Sequence, residues 1–310
     1  MSSAREFVLT DVAAIREAAQ NAALIPTTGM HGDEQVARVL RNGLAVIALA
    51  ALERFLRERV AELAVVLTAR AHLKFNELPE ALQNRLAVSA LAALSSELGR
   101  SSAPLAKIGD VVSLGKSLAS LDSARTAFSA SSLQWAGSNV RPDDIEQALR
   151  ALGYKNPWGQ LSEVMSKAIR PGTKADVSAV LRGLLDRRHS AAHDAAHTVS
   201  VLEVRSLHRD VLILALTVDA LLSDAARCLI EGDLNSATDV SRIAVWSVEK
   251  PLRATRYRLR SESKRPSTFA TFDDAARNSV ARETKAKRGA LVLLRDGADD
   301  IIDWRLTVDF

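Results

Sequence analysis

Along the first 230 residues, apolar side chains recur at intervals of three and four, the period of a helix with one buried face. Phe7–Leu24 reads as a first amphipathic helix stopped by Pro26 and Gly29. Asp33–Val66 reads as a long second helix, with Asp33 and Glu34 at its positive end. Its run Leu44-Ala45-Val46-Ile47-Ala48-Leu49-Ala50-Ala51-Leu52 is apolar nearly all round and predicts a central position. Leu78–Leu98 gives a third helix, and Gly99–Val140 turns Ser-, Gly- and Ala-rich, with short helical pieces at best. Pro142 opens a helix to Leu152, Asn156-Pro157 introduces another to Ala168, and Thr173-x-x-Asp176 starts one running through Leu185 and into the Arg/His stretch that follows it. Glu203–Ile230 is a last long helix, closed by Gly232.

Beyond 232 the period changes. Ile243–Val248 and Thr255–Arg260 read as strands, the latter alternating Tyr257 and Leu259 with Arg256, Arg258 and Arg260. Phe272–Lys285 is helical, and Ala290–Leu294, an Asp296-Gly297 turn and Ile301–Thr307 form a hairpin with a longer loop. The expected fold is therefore mainly α: a helical bundle over 1–232, carrying an irregular insertion around 99–140, followed by a basic α+β (ββαββ) module over 240–310.

Composition adds three constraints. Hydrophobic residues make up 47% of the chain and aromatics only 4%, which favours helix packed on helix. The single cysteine, Cys228, forbids an internal disulfide and a cysteine-based zinc site, which fits a reducing, cytoplasmic setting. The N-terminus lacks the apolar core of a signal peptide, and Asn42–Leu52 is too short to span a bilayer, so no membrane association is expected. The net charge of +4 conceals an uneven distribution: residues 241–288 hold 13 Lys/Arg against 5 Asp/Glu. Such a segment fits a polyanionic partner, most simply nucleic acid, or else a solvated basic face. Arg256, Arg258 and Arg260 can track a phosphate backbone, or can be the charges that protect a sheet edge.

The chemistry concentrates in Leu184-Leu185-Asp186-Arg187-Arg188-His189-Ser190-Ala191-Ala192-His193-Asp194. An imidazole that moves a proton and a guanidinium that stabilises charge on a phosphate suffice to cut RNA without a metal. His189, His193 and His197 are spaced by four, but the outer two of such a trio sit about 12 Å apart along a helix axis. One zinc, bound at about 2 Å, cannot take both. An adjacent pair completed by Asp194, Asp186 or another chain remains a metal alternative, and a solvated polar stripe is the plain one. Cys228 lies among Leu221, Leu222 and Leu229 and reads as core filler. Gly115-Lys116-Ser117 lacks the strand and earlier glycine of a phosphate-binding loop, so no nucleotide cofactor is expected.

Arg188-His189-Ser190-Ala191-Ala192-His193 resembles the signature of the HEPN superfamily: Arg, a polar residue, three more residues, then His. The resemblance is closest to its RiboL-PSP-HEPN-like branch. It extends to His31-Gly32-Asp33, Asn42–Val46 and Leu52–Leu56, to Arg141–Ile145 with Leu152-Gly153, and to the helix after Val201, spanning about residues 30–230. The resemblance implies a helical bundle that pairs two Arg/His segments across a two-fold axis, with no cofactor. It further implies an RNA substrate attacked by its own 2′-OH, a toxin or phage-defence role and a cognate neutralising protein. On this resemblance Arg188, His193 and His189 are the catalytic candidates, with Arg187, Asp186 and Asp194 secondary. The family usually has Asn where this chain has His189, and members that bind without cutting exist. A non-catalytic nucleic-acid- or partner-binding protein is thus the alternative.

Overall fold

The computed structural model describes residues 2–25, 31–100, 102, 105, 108–123, 125–133, 135, 139–169, 176–194, 197–233, 239–250, 256–260 and 267–309. Helix α1 (Ser3–Ala18) starts on Ser2, whose side chain accepts from Arg5 N, and buries Ala4, Val8, Val12 and Ile15. Helix α2 (His31–Arg70) runs for 40 residues, about 60 Å. Its buried positions, among them Ala45, Leu49, Leu52, Phe55, Leu56, Val60, Leu63 and Leu67, follow one face. Helix α1 and the later helices α9 (Val177–His193) and α10 (Val201–Glu231) pack along it.

The apolar run of α2 pointed to a central helix, and α1, α9 and α10 do pack along it, although Ile47 within the run is exposed, as are Val36, Val39 and Leu40 before it; α10 is the more enclosed of the two, buried from Ile213 through Leu229. Elements pack against α10 from several sides, namely α1, α2, α9, α8 (Pro157–Ala168) and the C-terminal sheet. It begins on a Ser200/Glu203 capping box and ends at Gly232, whose φ of 70° is the left-handed conformation that a side chain would strain.

Residues 80–100 form one helix interrupted by a π turn, as α3 (Glu80–Asn84), Arg85–Ser89 and α4 (Ala90–Arg100). The turn aims buried Arg85 at the carbonyl of Leu133, which accepts at 3.0 Å. The Ser/Gly-rich stretch holds more helix than its composition implied: α5 (Ile108–Ala119) spans 12 residues. Leu114 packs against Ala90 and Leu94 of α4, and this tertiary contact outweighs the low propensity of Gly109 and Gly115. Two short helices, α6 (Ala130–Leu133) and α7 (Pro142–Ala151), lead to α8. Pro26, Gly29, Thr173 and Thr255, on which sequence signals fell, lie outside the described residues.

The C-terminal module is β1 (Ile243–Glu249), β2 (Tyr257–Arg260), β3 (Thr268–Phe269), α11 (Phe272–Lys285), β4 (Gly289–Arg295) and β5 (Ile301–Leu306). The two-residue strand β3 is an addition to the ββαββ pattern; it is too short to show alternation. The sheet order is β3-β2-β1-β4-β5, with β1 and β4 parallel across the α11 crossover and the other pairs antiparallel. Strand β4 is buried throughout. Ala290, Val292 and Leu294 meet Phe272, Ala275, Ala276 and Val280 of α11, while Leu291 and Leu293 join the bundle core.

A buried ionic cluster fastens the two parts. Fully buried Asp219 of α10 accepts from Arg5 Nε and Arg59 Nε at 2.6 Å each, from Trp304 Nε1 at 2.8 Å and from Ser223 Oγ at 2.9 Å. Asp309 also binds Arg5, so α1, α2, α10 and the end of the chain meet at one point. Burial by itself raises the pKa of Asp219, but the two guanidiniums outweigh it and hold the carboxyl well below the usual range.

Candidate active site

The Arg/His segment occupies the last turns of α9. Asp176 caps the helix, its carboxylate accepting from Ser178 N at 2.9 Å and Ala179 N at 3.3 Å. Val177, Leu181 and Leu184 are buried at spacings of four and three and seat α9 on the bundle. The helix stops at His193, after which Asp194 N donates to Ser190 O at 2.9 Å and His197 N to Asp194 O at 3.1 Å. Asn42 of α2 pins the link to α10: its Nδ2 donates to His197 O at 3.0 Å, and its Oδ1 accepts from Val199 N at 3.1 Å.

Helical geometry sorts the candidate residues onto three sides. Arg182, Asp186, His189 and His193, spaced by four, three and four, form one exposed stripe. The His189 and His193 rings lie with centroids 4.9 Å apart and planes at 51°. Arg187 turns to α10, where its Nη2 donates to Asp210 Oδ2 at 2.6 Å, and Ser206 Oγ donates to the same oxygen at 3.3 Å. Burial pushes Asp210 above the usual carboxylate range, and Arg187 offsets only part of that shift.

Half-buried Arg188 turns toward α2. It makes no hydrogen bond or ion pair among the described residues, and its charge is felt at Glu53 of α2. Burial raises the Glu53 pKa; the bond its Oε1 accepts from Val140 N at 2.7 Å lowers it, as do Arg57 and Arg188. Arg188 and His193 are five residues apart, hence about 140° around the helix and about 7.5 Å along it. A single chain therefore presents the two imidazoles together and the free guanidinium on a neighbouring side.

Asp194 is exposed and caps α9. His197 lies in the link and not on the helix, so the three histidines do not share a face; its Nε2 is buried and has no hydrogen-bond partner among the described residues. No group of three His, Cys, Asp or Glu able to hold a metal occurs among the described residues. Cys228 is buried, and burial pushes its thiol up to about 12. Arg256, just before β2, and Arg258, on β2 opposite Glu249, are exposed, while Tyr257 packs with Phe269 toward α11; the side chain of Arg260 is outside the described residues.

Sequence reasoning gave no individual role to Asn42 or Glu53, although both lie in segments that carry the family resemblance, and it passed over Asp210. Asn42 and Glu53 are eleven residues apart, about three helical turns, and so share the face of α2 that meets α9. Two polar residues in register on one face of the helix were the available signal. Asp210 had none, because its meaning depends on Arg187 crossing to α10.

No helix among the described residues is long and apolar enough to cross a membrane. No curated protein and no solved structure matches the chain. The RiboL-PSP-HEPN family model does match, over residues 12–224, from within α1 to the last turns of α10 and across the whole Arg/His helix. That match covers more than half of the sequence, and the chain belongs to the RiboL-PSP-HEPN family.

Proposed function

We propose that this protein is a metal-independent endoribonuclease that works as a homodimer, with Arg188 and His193 as its principal catalytic groups and His189 assisting. The observation that carries the reading is the end of α9. Two imidazoles lie 4.9 Å apart and open to solvent, beside a guanidinium that no described side chain or carbonyl occupies. In the proposed reaction a histidine takes the proton from an RNA 2′-OH, and the oxygen attacks the adjacent phosphorus. Arg188 then holds the added negative charge of the phosphorane, for which its planar fork of donors is suited. A second imidazole, in protonated form, gives its proton to the departing 5′-oxygen. The products are a 2′,3′-cyclic phosphate and a 5′-OH, with no cofactor needed.

Arg187, tied to Asp210, serves as a positioning residue in this scheme, while Asp186 and Asp194 border the stripe. Residues 240–310 form an accessory module whose Arg256, Arg258 and Arg260 add backbone contacts to RNA. We place the protein in the cytoplasm, as a toxin or phage-defence effector restrained by a neutralising partner. The separation of Arg188 from His193 around α9 favours a second reading, a family member that binds RNA and does not cut it.

End-labelled RNA incubated in excess EDTA with wild type, His193→Ala and Arg188→Ala decides between them. Cyclic-phosphate fragments from wild type alone are expected. Equal cutting by all three would sink the assignment of both residues, and salt-sensitive binding with no fragments would establish the second reading.

A further inference from the structure

The exposed stripe on α9 carries His189 and His193 one helical turn apart, and neither ring makes a hydrogen bond or ion pair among the described residues. A neutral imidazole has one ring nitrogen with a free lone pair. Such a nitrogen accepts a proton, and it equally ligates a metal ion. Geometry decides whether one ion can take both rings. A metal about 2.0–2.1 Å from a ring nitrogen lies about 3.2 Å from the ring centroid, so two imidazoles sharing it at angles of about 90–109° have centroids about 4.5–5.2 Å apart. The centroids of His189 and His193 are 4.9 Å apart, inside that window.

The surroundings favour a cation. Helix α9 ends at His193, so the carbonyls of its last turn place partial negative charge beside the pair. Asp186, one turn before His189, and Asp194, directly after His193, are exposed carboxylates. The arginines of α9 are engaged or turned aside: Arg187 is bound to Asp210, Arg182 pairs with Asp176 at 3.5 Å, and Arg188 faces Glu53 of α2. No third His, Cys, Asp or Glu joins the pair among the described residues, which leaves the remaining coordination positions to water. Two imidazoles and water suit a borderline divalent ion such as Zn²⁺. Mg²⁺ and Ca²⁺ demand oxygen ligands and are not held by such a pair.

We propose that His189 and His193 form a two-ligand site for Zn²⁺ or a similar imidazole-seeking ion, and that the bound ion switches RNA cleavage off. The site itself stands on the geometry of the pair; its effect on cleavage rests on the ribonuclease reading above. An ion held by both rings occupies the lone pair that takes the 2′-OH proton and the nitrogen that carries a proton to the 5′-oxygen. Both proton transfers are blocked at once, in a reaction that itself uses no metal.

The test uses the full chain in a buffer that does not bind metals. Calorimetric titration with Zn²⁺ is expected to show one site per chain in wild type and in His72→Ala, a change at another exposed histidine. His189→Ala and His193→Ala, both at exposed positions and with unchanged helical spectra, are expected to bind about tenfold more weakly or worse, since each removes one of two tethered ligands. Mg²⁺ is expected to give no saturable heat. Equal Zn²⁺ affinity in wild type and His193→Ala, or no saturable binding by wild type, overturns the site. A loss in His72→Ala as large as in His193→Ala does the same. End-labelled RNA cut by the same preparations separates the site from its effect. Saturating Zn²⁺ is expected to slow wild-type cleavage by about a hundredfold or more, the scale of a lost acid–base contribution, and EDTA to restore it. Cleavage unchanged or accelerated by Zn²⁺ overturns the switch. Zn²⁺ binding by a wild type that cuts no RNA even in EDTA supports the site and counts against the ribonuclease reading instead.

Discussion

Replacing Asp219 by Asn keeps the shape of the buried cluster and removes its charge. The carboxylate accepts four hydrogen bonds, from Arg5, Arg59, Trp304 and Ser223, at distances of 2.6 to 2.9 Å. Asparagine keeps one acceptor oxygen and turns an NH2 toward donors, so at least one guanidinium loses its partner in the core. Breaking a buried pair costs about 3–5 kcal/mol, most of it the penalty of leaving a charge unpaired. Here Asp309 still reaches Arg5, and Glu62 still reaches Arg59 at 3.0 Å, so the lower end, about 3 kcal/mol, is expected. That is a large share of a typical domain stability of about 5–15 kcal/mol. Urea unfolding followed by both helical signal and tryptophan fluorescence reads it as a lowered midpoint. The pH dependence has a definite sign. The folded pKa of Asp219 is depressed, so its contribution is complete above the unfolded value of about 3.9 and is lost as pH falls from there toward the folded value. Asp219→Asn should therefore lose stability at neutral pH and show a flatter decline below about pH 4. A loss under about 1 kcal/mol at pH 7 would refute the claim that this carboxylate neutralises the two arginines. Two separate unfolding transitions in wild type would refute the claim that the cluster fastens the sheet to the bundle.

Two other substitutions test local geometry. Gly289→Ala would place a Cβ 2.4 Å from Asp224 Oδ1, a carboxylate held by two bonds from Arg227; overpacking of this kind costs about 1–3 kcal/mol, read by urea unfolding, and an unchanged midpoint would show that the strand is free to shift. Glu53→Gln keeps an acceptor for Val140 N and removes a half-buried negative charge felt by Arg188, so RNA affinity by fluorescence anisotropy should rise by a few-fold, on the order expected of one nearby charge in a partly screened site. Weaker binding by Glu53→Gln would mean that the carboxylate orients Arg188 and does not compete with phosphate.

What the sequence disclosed depended on whether the cause was local. The 3.6-residue period placed α2, α7, α8, α10 and α11 to within four residues, because one buried face per helix leaves its mark on the helix itself, whereas α1 ends at Ala18, six residues before the expected Leu24. Strand β4 was legible for the related reason that a strand covered on both faces is an unbroken apolar run. Helix α5 was not, since its stability comes from Leu114 meeting Ala90 and Leu94, a contact with no trace in the glycines and serines of residues 108–119. The site divides the same way. The Arg188–His193 spacing is written in the chain, and on the continuous helix α9 that same spacing turns the two groups apart. The apolar run of α2 shows how one pattern can have two meanings. Leu49 and Leu52 are apolar because α2 lies against the bundle, whereas Val39 and Ile47 are apolar on a face that the bundle leaves open. Hydrophobicity along a chain records that a surface is to be covered and is silent on what covers it.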